Sequence, residues 1–243
     1  RNKFLLYSFN LLENLISLRI PHKLITVNRV LAKNLRLSTS KEILTIHNTP
    51  DVLSTNCQHP YVVKSKIRLV YIGHIGSHYG LEKLLYYICK INESIPLSLD
   101  IYGDGLLSDE LKILVRKFQI EDLIQFHGRY LANDISDILQ LYHLGVAMYD
   151  VNALTNIILP VKILEYTYNG IPAITTSLEV TKSYFDDNSI CYADSYEDFE
   201  VLIKEIYVGD INLVEMQSRA RVDIDSISWE KEGKAFLRYI GED

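Results

Sequence analysis

The stretch LPVKILEYTYNGIPAITT, residues 159–176, places a lysine and a carboxylate three positions apart, at Lys162 and Glu165. Pro160 suits a helix start and Gly170 a helix stop, so both residues fall on one helix and share a face. Lys162 lies in the first turn, where the helix dipole disfavours a cation unless an anion stands nearby. That placement points to a phosphate ligand. A carboxylate such as Glu165 can accept two hydroxyl hydrogen bonds, as from a ribose. An exposed i, i+3 salt bridge of little consequence would give the same spacing.

A second constellation is YIGHIGSHYGLEKLL, residues 71–85, in which Gly73, Gly76 and Gly80 stand between a strand pattern and a helix pattern. Such a loop can bring backbone N–H groups and a positive helix end onto a diphosphate, and His74 sits inside it. The spacing departs from G-x-G-x-x-G, which disfavours a nicotinamide enzyme. A plain strand-to-helix turn is the competing reading. IYGDGLLSDEL, residues 101–111, adds Gly103 and Gly105 around Asp104, which also fits simple turn chemistry. One strand later, FHGRYL sets Arg129 and Tyr130 just past a strand end, where they could border a base or a phosphate. A snorkelling surface pair explains them equally well.

Other chemistries find little support. His74 and His78 are four apart, but no third ligand stands at metal spacing, so no metal site is expected. There is no G-x-S-x-G, no Walker lysine loop and no catalytic cysteine signature. Trp229 is expected to anchor the last helix. Cys57, Cys89 and Cys191 lie far apart, which fits neither a disulfide framework nor a zinc site and suggests a reducing compartment. The balance of 25 basic against 31 acidic residues, a net charge of −6, argues against nucleic acid as a partner. Polar residues interrupt every apolar stretch, so no segment reads as a membrane span, and Asn10, Glu13 and Asn14 break up the apolar beginning. The 17 tyrosines and the apolar first helix suit either a membrane surface or ordinary packing.

The elements that must position these residues alternate. Strands are expected at 67–73, 97–103, 123–128, 144–150, 172–176 and 189–193. Helices are expected at 81–91, from Ser108 as N-cap, at 133–142, 160–170 and 195–207. This rhythm implies a parallel sheet covered on both faces, with ligands beyond the carboxyl ends of its strands. Gly73, Gly103 and Gly128 mark that edge three times. The first 60 residues read as a helix, a strand at 22–28, a helix at 29–36 and a strand at 42–48. Residues 49–65 read as a linker, and 228–240 as a last amphipathic helix.

Taken in order, these segments resemble the glycosyltransferases of family 4, whose GT-B fold sets two Rossmann-like domains face to face. HKLITVNRVLAKNL with EILTIHNTPD looks like the end of the family's first domain. YIGHIGSHYGLEKLL, LDIYGDG, IQFHGRY and PVKILEYTYNGIPAITT look like successive landmarks of its donor domain. SWEKEGKAFLRY is similar to its terminal helix. The resemblance implies an α/β fold, a Rossmann-like doubly wound parallel sheet with a truncated second α/β domain. Residues 1–60 would be the remnant of the acceptor domain, 61–227 the nucleotide-sugar-binding domain, and 228–243 a helix packing back toward the N-terminal part.

It implies a sugar moved with retention from a nucleoside diphosphate sugar to a saccharide or lipid-linked saccharide in surface polysaccharide assembly, with no cofactor and no metal. Lys162 would stabilise the leaving diphosphate. Gly73, His74, Gly76, Gly103, Gly105, Arg129, Tyr130, Lys162 and Glu165 would bind the donor. Glu165 falls at the second glutamate of the family's pair, whose usual partner is the ribose; the earlier one falls at Ile157. The later P-x-K-x-x-E-Y form is present at Pro160, Lys162, Glu165 and Tyr166. Two basic positions of the family are His74 and Tyr79 here. The short first part suggests a fragment inactive alone, and a binding module without turnover is the alternative. A sugar epimerase of the same architecture is a weaker one. A protein of the cytoplasm, or one peripheral at the membrane's inner face, is expected.

Overall fold

The computed structural model describes residues 23–36, 41–50, 63 and 65–241. The helix expected near the beginning of the chain and most of the expected linker lie outside these residues. The described residues fall into two compact units, one within Thr49–Ser226 and one within Arg1–Asn48 and Ile227–Asp243.

The smaller unit contains β1 (Leu24–Thr26), α1 (Arg29–Arg36), β2 (Ile43–Thr45) and, from the far end of the chain, α9 (Trp229–Ile240). β1 and β2 pair in parallel. Asn28 caps α1 by accepting the Leu31 N–H at 2.9 Å. The hydroxyl of Tyr239 on α9 accepts the Leu24 N–H at 3.0 Å and stands 2.8 Å from the Glu42 carbonyl oxygen. Glu232 accepts the His47 N–H at 2.8 Å. Trp229, expected as the anchor of this helix, is 60% exposed. Tyr239 and Glu232 hold α9 instead, because their polar atoms meet backbone that the two short strands leave unpaired.

The larger unit runs β3 (Ile67–Ile72), α2 (Leu81–Ile91), β4 (Leu97–Tyr102), α3 (Ser108–Phe118), β5 (Ile124–Gly128), α4 (Ile135–Leu139), β6 (Leu144–Ala147), α5 (Val161–Tyr168), β7 (Ala173–Thr175), α6 (Glu179–Lys182), β8 (Cys191–Tyr192), α7 (Tyr196–Val208) and α8 (Leu213–Asp223). Its strands form one parallel sheet in the order β5-β4-β3-β6-β7-β8. Ile67, Leu69, Val70, Tyr71 and Ile72 of β3 and all of β6 are buried, as central strands covered on both faces must be. Leu81, Leu84, Leu85, Ile88 and Ile91 give α2 its buried stripe.

The chain builds outward from β3 to β4 and β5, then returns to the other side of β3 to lay down β6, β7 and β8. The order therefore reverses between β3 and β6. A crevice opens at the carboxyl ends there, and in open parallel sheets it is the place where ligands bind.

Several local expectations change. Ser108 is the first helical residue of α3, not its cap. Its hydroxyl turns back to accept the Gly105 N–H at 3.0 Å, and Asp104 competes for the same loop. The helix expected over 133–142 is a 3₁₀ turn, Ala132–Asp134, followed by the five residues of α4. α8 had no sequence signal, because Leu213, Met216 and Ala220 are its only buried side chains. It is held by the Asn212 cap on the Glu215 N–H, 3.1 Å, and by Arg221, which donates to the Tyr168 carbonyl at 2.5 Å. Among the described residues no helix is long and apolar enough to cross a membrane.

Candidate functional site at the sheet switch point

Gly73 follows β3, Gly103 follows β4 and Gly128 ends β5, so the three lie at one edge of the parallel sheet. Hydrogen bonds carry the pairing across that edge: Gly73 N–H to the Tyr102 carbonyl at 2.9 Å, and Gly103 N–H to the Gly128 carbonyl at 2.7 Å. The φ values of Gly73 and Gly103 are +119° and +143°, a region that residues with a side chain rarely adopt. The following loops interlock. The Ile75 N–H donates to the Asp104 carbonyl at 3.1 Å, and a β-carbon on Gly105 would stand 2.0 Å from the Ile75 oxygen. Gly80, at the start of α2, fits against the end of β6, since a β-carbon there would stand 1.4 Å from the Met148 oxygen.

Lys162 enters from the first turn of α5 and is only 7% exposed. Its ammonium donates to the Tyr71 hydroxyl at 2.7 Å. It also lies 4.1 Å from the ring centre of Tyr71, 4.3 Å from that of Tyr79 and 5.4 Å from that of Tyr149. Ring faces attract a cation electrostatically. They replace water poorly, however, and burial pulls the Lys162 ammonium down to about 7, against the supporting charge of Glu165. Glu165 is partly buried. Burial raises its carboxyl above the ordinary range and Lys162 opposes the rise. Lys162 thus turns to Tyr71 rather than to Glu165, and the simple i, i+3 salt bridge does not form.

Two adjoining clefts meet at this point. One of about 400 Å³ is lined by Gly73, His74, Tyr79, Tyr149, Lys162 and Glu165, among others. The second, of about 630 Å³, is lined by Gly73, His74, Gly103, Asp104, Gly105, Leu106, Arg129 and Tyr130. Tyr130 also lines the first cleft, and burial beside Glu165 pushes its hydroxyl up to about 12. Eight of the nine residues singled out from sequence therefore border one or other of these two clefts, which share Gly73, His74 and Tyr130. Gly76 borders neither cleft. A β-carbon on it would meet chiefly the far end of the His74 side chain, at 2.9 Å, and no backbone neighbour demands a glycine.

Arg129 is 86% exposed at the rim, where its Nε donates to Asp104 at 3.2 Å. Asp104 also accepts the Gly105 N–H at 2.8 Å, and these bonds hold its carboxyl below the usual range. Arg129 thus arrives already paired with an anion. Lys162, by contrast, lines the smaller cleft and among the described residues has no carboxylate bound to it.

Sequence reasoning missed the cage of Tyr71, Tyr79 and Tyr149 around Lys162. Tyr71 sits in an apolar strand, and a tyrosine there reads as core. Tyr166 is placed by its motif, but its packing on Gly145 is not foreseen. The Tyr166 ring fills the place where a Gly145 β-carbon would stand, at 2.5 Å. Its hydroxyl accepts the Ile72 N–H at 3.1 Å, fixing α5 against β3 immediately before Gly73. Among the described residues no three His, Cys, Asp or Glu side chains group as metal ligands would.

The sequence model of the family described as glycosyl transferases group 1 matches residues 59–223. The chain belongs to this family. No curated protein matches it. Among solved structures, the fold is similar to that of the pneumococcal O-GlcNAc transferase GtfA in complex with UDP and GlcNAc. That similarity has a TM-score of 0.71 at 15% identity over 91% of this chain and 45% of that one. The apo lipopolysaccharide outer core galactosyltransferase WaaB gives a TM-score of 0.71 at 14% identity, over 89% of this chain and 60% of that one. A glycosyltransferase from Rickettsia africae gives 0.74 at 15% identity, over 97% and 68%. The chain thus spans less than half the length of the pneumococcal transferase. At such identities the likeness establishes the fold, an α/β architecture shared with GT-B glycosyltransferases. The matched span includes the glycine loop, the caged lysine and Glu165.

Proposed function

We propose that this group 1 glycosyltransferase acts in the manner of family 4. It would move a sugar, with retention, from a nucleoside diphosphate sugar to a saccharide or lipid-linked saccharide during surface polysaccharide assembly. The observation that carries this reading is a buried, dehydrated Lys162 beside Gly73 at the point where the strand order reverses. A cation kept in so dry a place gains most from an arriving anion, because Coulomb attraction strengthens as water is excluded. The pneumococcal relative in complex with UDP and GlcNAc, and the lipopolysaccharide galactosyltransferase, fit the same substrate classes.

In this reading the diphosphate lies over the Gly73 turn, where the missing side chain lets backbone approach it closely. Lys162 regains its full charge as the diphosphate binds. When the bond from the sugar's anomeric carbon to the diphosphate oxygen breaks, negative charge grows on the leaving group, and Lys162 is already placed to meet it. Glu165 accepts the ribose hydroxyls. The cleft bordered by Tyr130 and Leu106 takes the base end. No cofactor enters this scheme, and the charge on the leaving group is met by Lys162 and backbone amides. The enzyme would work in the cytoplasm or at the inner face of a membrane.

Calorimetric titration of the chain with UDP, GDP, ADP, CDP and dTDP tests the proposal. At least one should bind, and Lys162→Ala should weaken it by tenfold or more. Absence of binding to all five, or an unaffected Lys162→Ala variant, overturns the assignment. Sugar transfer from the matching donor then separates an enzyme from a binding module.

A further inference from the structure

We infer that Tyr71 is a positioning residue of this site: its hydroxyl latches the glycine loop to Lys162 and so sets where, and in which charge state, the lysine meets a diphosphate. The inference rests on the donor site proposed above. It concerns a residue inside β3 that borders neither cleft.

The geometry is specific. The Tyr71 hydroxyl accepts a hydrogen bond from Lys162 Nζ at 2.7 Å and donates one to the His74 carbonyl at 2.6 Å. It therefore joins two parts of the site that are otherwise separate in sequence, the loop after β3 and the first turn of α5. The side chain is 1% exposed, so water cannot substitute for either partner. A phenol is suited to this place. It can accept from an ammonium and donate to a carbonyl at once, where phenylalanine can do neither. Burial and the neighbouring phenols Tyr149 and Tyr79 hold the hydroxyl far above its ordinary range, so it remains a neutral donor and acceptor.

The other groups facing the ammonium do not replace it. Tyr79, from the glycine loop, and Tyr149, past the end of β6, offer ring faces. Glu165, on α5 itself, supplies charge without an ion pair. Tyr71 alone gives Lys162 a hydrogen-bond acceptor among the bonds of the described residues. Removing that acceptor should make the charged form less favourable, and it should free the His74 carbonyl to turn. Both changes loosen the diphosphate end of the cleft while leaving the ribose and base end in place.

The test compares Tyr71→Phe with the parent, using whichever of UDP, GDP, ADP, CDP and dTDP the parent binds most tightly. Near pH 7.5 the variant should bind about tenfold more weakly, the size expected when a hydrogen bond to a charged group is lost. The pH at which affinity falls off should move about one unit lower. Lys162, read without ligand from the chemical shift of its Cε, should titrate at correspondingly lower pH. In a Lys162→Ala background, Tyr71→Phe should have little further effect. Unchanged affinity and pH profile, or an equal loss in the Lys162→Ala background, overturns the role of Tyr71 alone. A silent Lys162→Ala overturns the donor site as well. If Tyr71→Phe does not fold, 3-fluorotyrosine at position 71 keeps the ring and weakens the acceptor. A smaller shift of the Lys162 titration in the same direction supports the latch, and none overturns it.

Discussion

Gly73 and Lys162 share one small volume: a β-carbon on Gly73 would lie 3.3 Å from Lys162 Cε and 3.5 Å from its Nζ. The end of the Lys162 side chain therefore lies against the Gly73 turn at the switch point, in space that a side chain at 73 would take. An alanine at 73 would press on the lysine stem and would also have to adopt φ near +119°. Backbone strain of this kind costs on the order of 1–3 kcal/mol. Gly73→Ala is expected to lower the thermal midpoint and to weaken nucleoside diphosphate binding more than Gly128→Ala does. Equal binding by the two variants would show that the close approach at Gly73 has no part in the site.

The depressed Lys162 titration gives a pH dependence whose sign can be worked out. Burial lowers the folded-state value to about 7, while the unfolded chain has the ordinary value near 10.5. Between these limits the unfolded state binds more protons, so this group makes the free protein more stable as pH rises from about 7. Binding runs the other way. A diphosphate favours the charged lysine, so binding takes up a proton, and affinity should fall as pH rises above 7. Urea unfolding at pH 7 and 9, with calorimetric binding in buffers of different ionisation enthalpy, measures both. Lys162→Met should flatten the two trends. Affinity that rises between pH 7 and 9 would contradict the assignment.

Glu165 is expected to act on binding and on Lys162 together. Its carboxylate supports the lysine charge. Glu165→Ala should weaken nucleoside diphosphate binding by roughly 1.5–3 kcal/mol through lost ribose hydrogen bonds. It should also shift the Lys162 titration to lower pH. Comparing a nucleoside diphosphate with inorganic diphosphate separates the two effects, because only the former has a ribose to lose. A variant with parental affinity for the nucleotide and intact folding would remove Glu165 from the site.

Much of this arrangement could be read from sequence, and the unread part has a common physical cause. The alternation of apolar runs with 3.6-residue periodicity gives the parallel sheet, because strands buried on both faces must be continuously apolar. Turn glycines gave the shared edge, because Gly73 and Gly103 take backbone conformations that few other residues reach. The Lys162–Glu165 spacing gave the facing helix. What could not be read is tertiary. Tyr71, Tyr79 and Tyr149 come from a strand, a loop and the end of another strand, and no spacing links them before the sheet is assembled. Gly145 looks like an ordinary strand residue in LGVAMYD until the Tyr166 ring is found in its missing side chain's place. α8 escaped because three buried positions in eleven residues leave too weak a stripe.

The three edge glycines should not respond alike to substitution. Gly103 and Gly128 both have positive φ, +143° and +73°. Their surroundings differ. A β-carbon on Gly103 would stand 1.8 Å from the Gly73 oxygen, inside any possible contact, and that oxygen belongs to backbone fixed in the sheet edge. A β-carbon on Gly128 would meet nothing within 4 Å. Gly128→Ala then pays only for the left-handed backbone, about 1–2 kcal/mol. Gly103→Ala must also push β3 and β4 apart at the site, so its cost should exceed about 3 kcal/mol, the range of changes with a named steric cause. Denaturant unfolding of the two variants should therefore show a large gap in midpoint. Because the displaced group is the Gly73 carbonyl, a Gly103→Ala protein that still folds should also lose nucleoside diphosphate affinity, while Gly128→Ala keeps it. Similar midpoints for the two would mean that the loops after β3 and β4 are not held together as tightly as their interlocked backbones indicate.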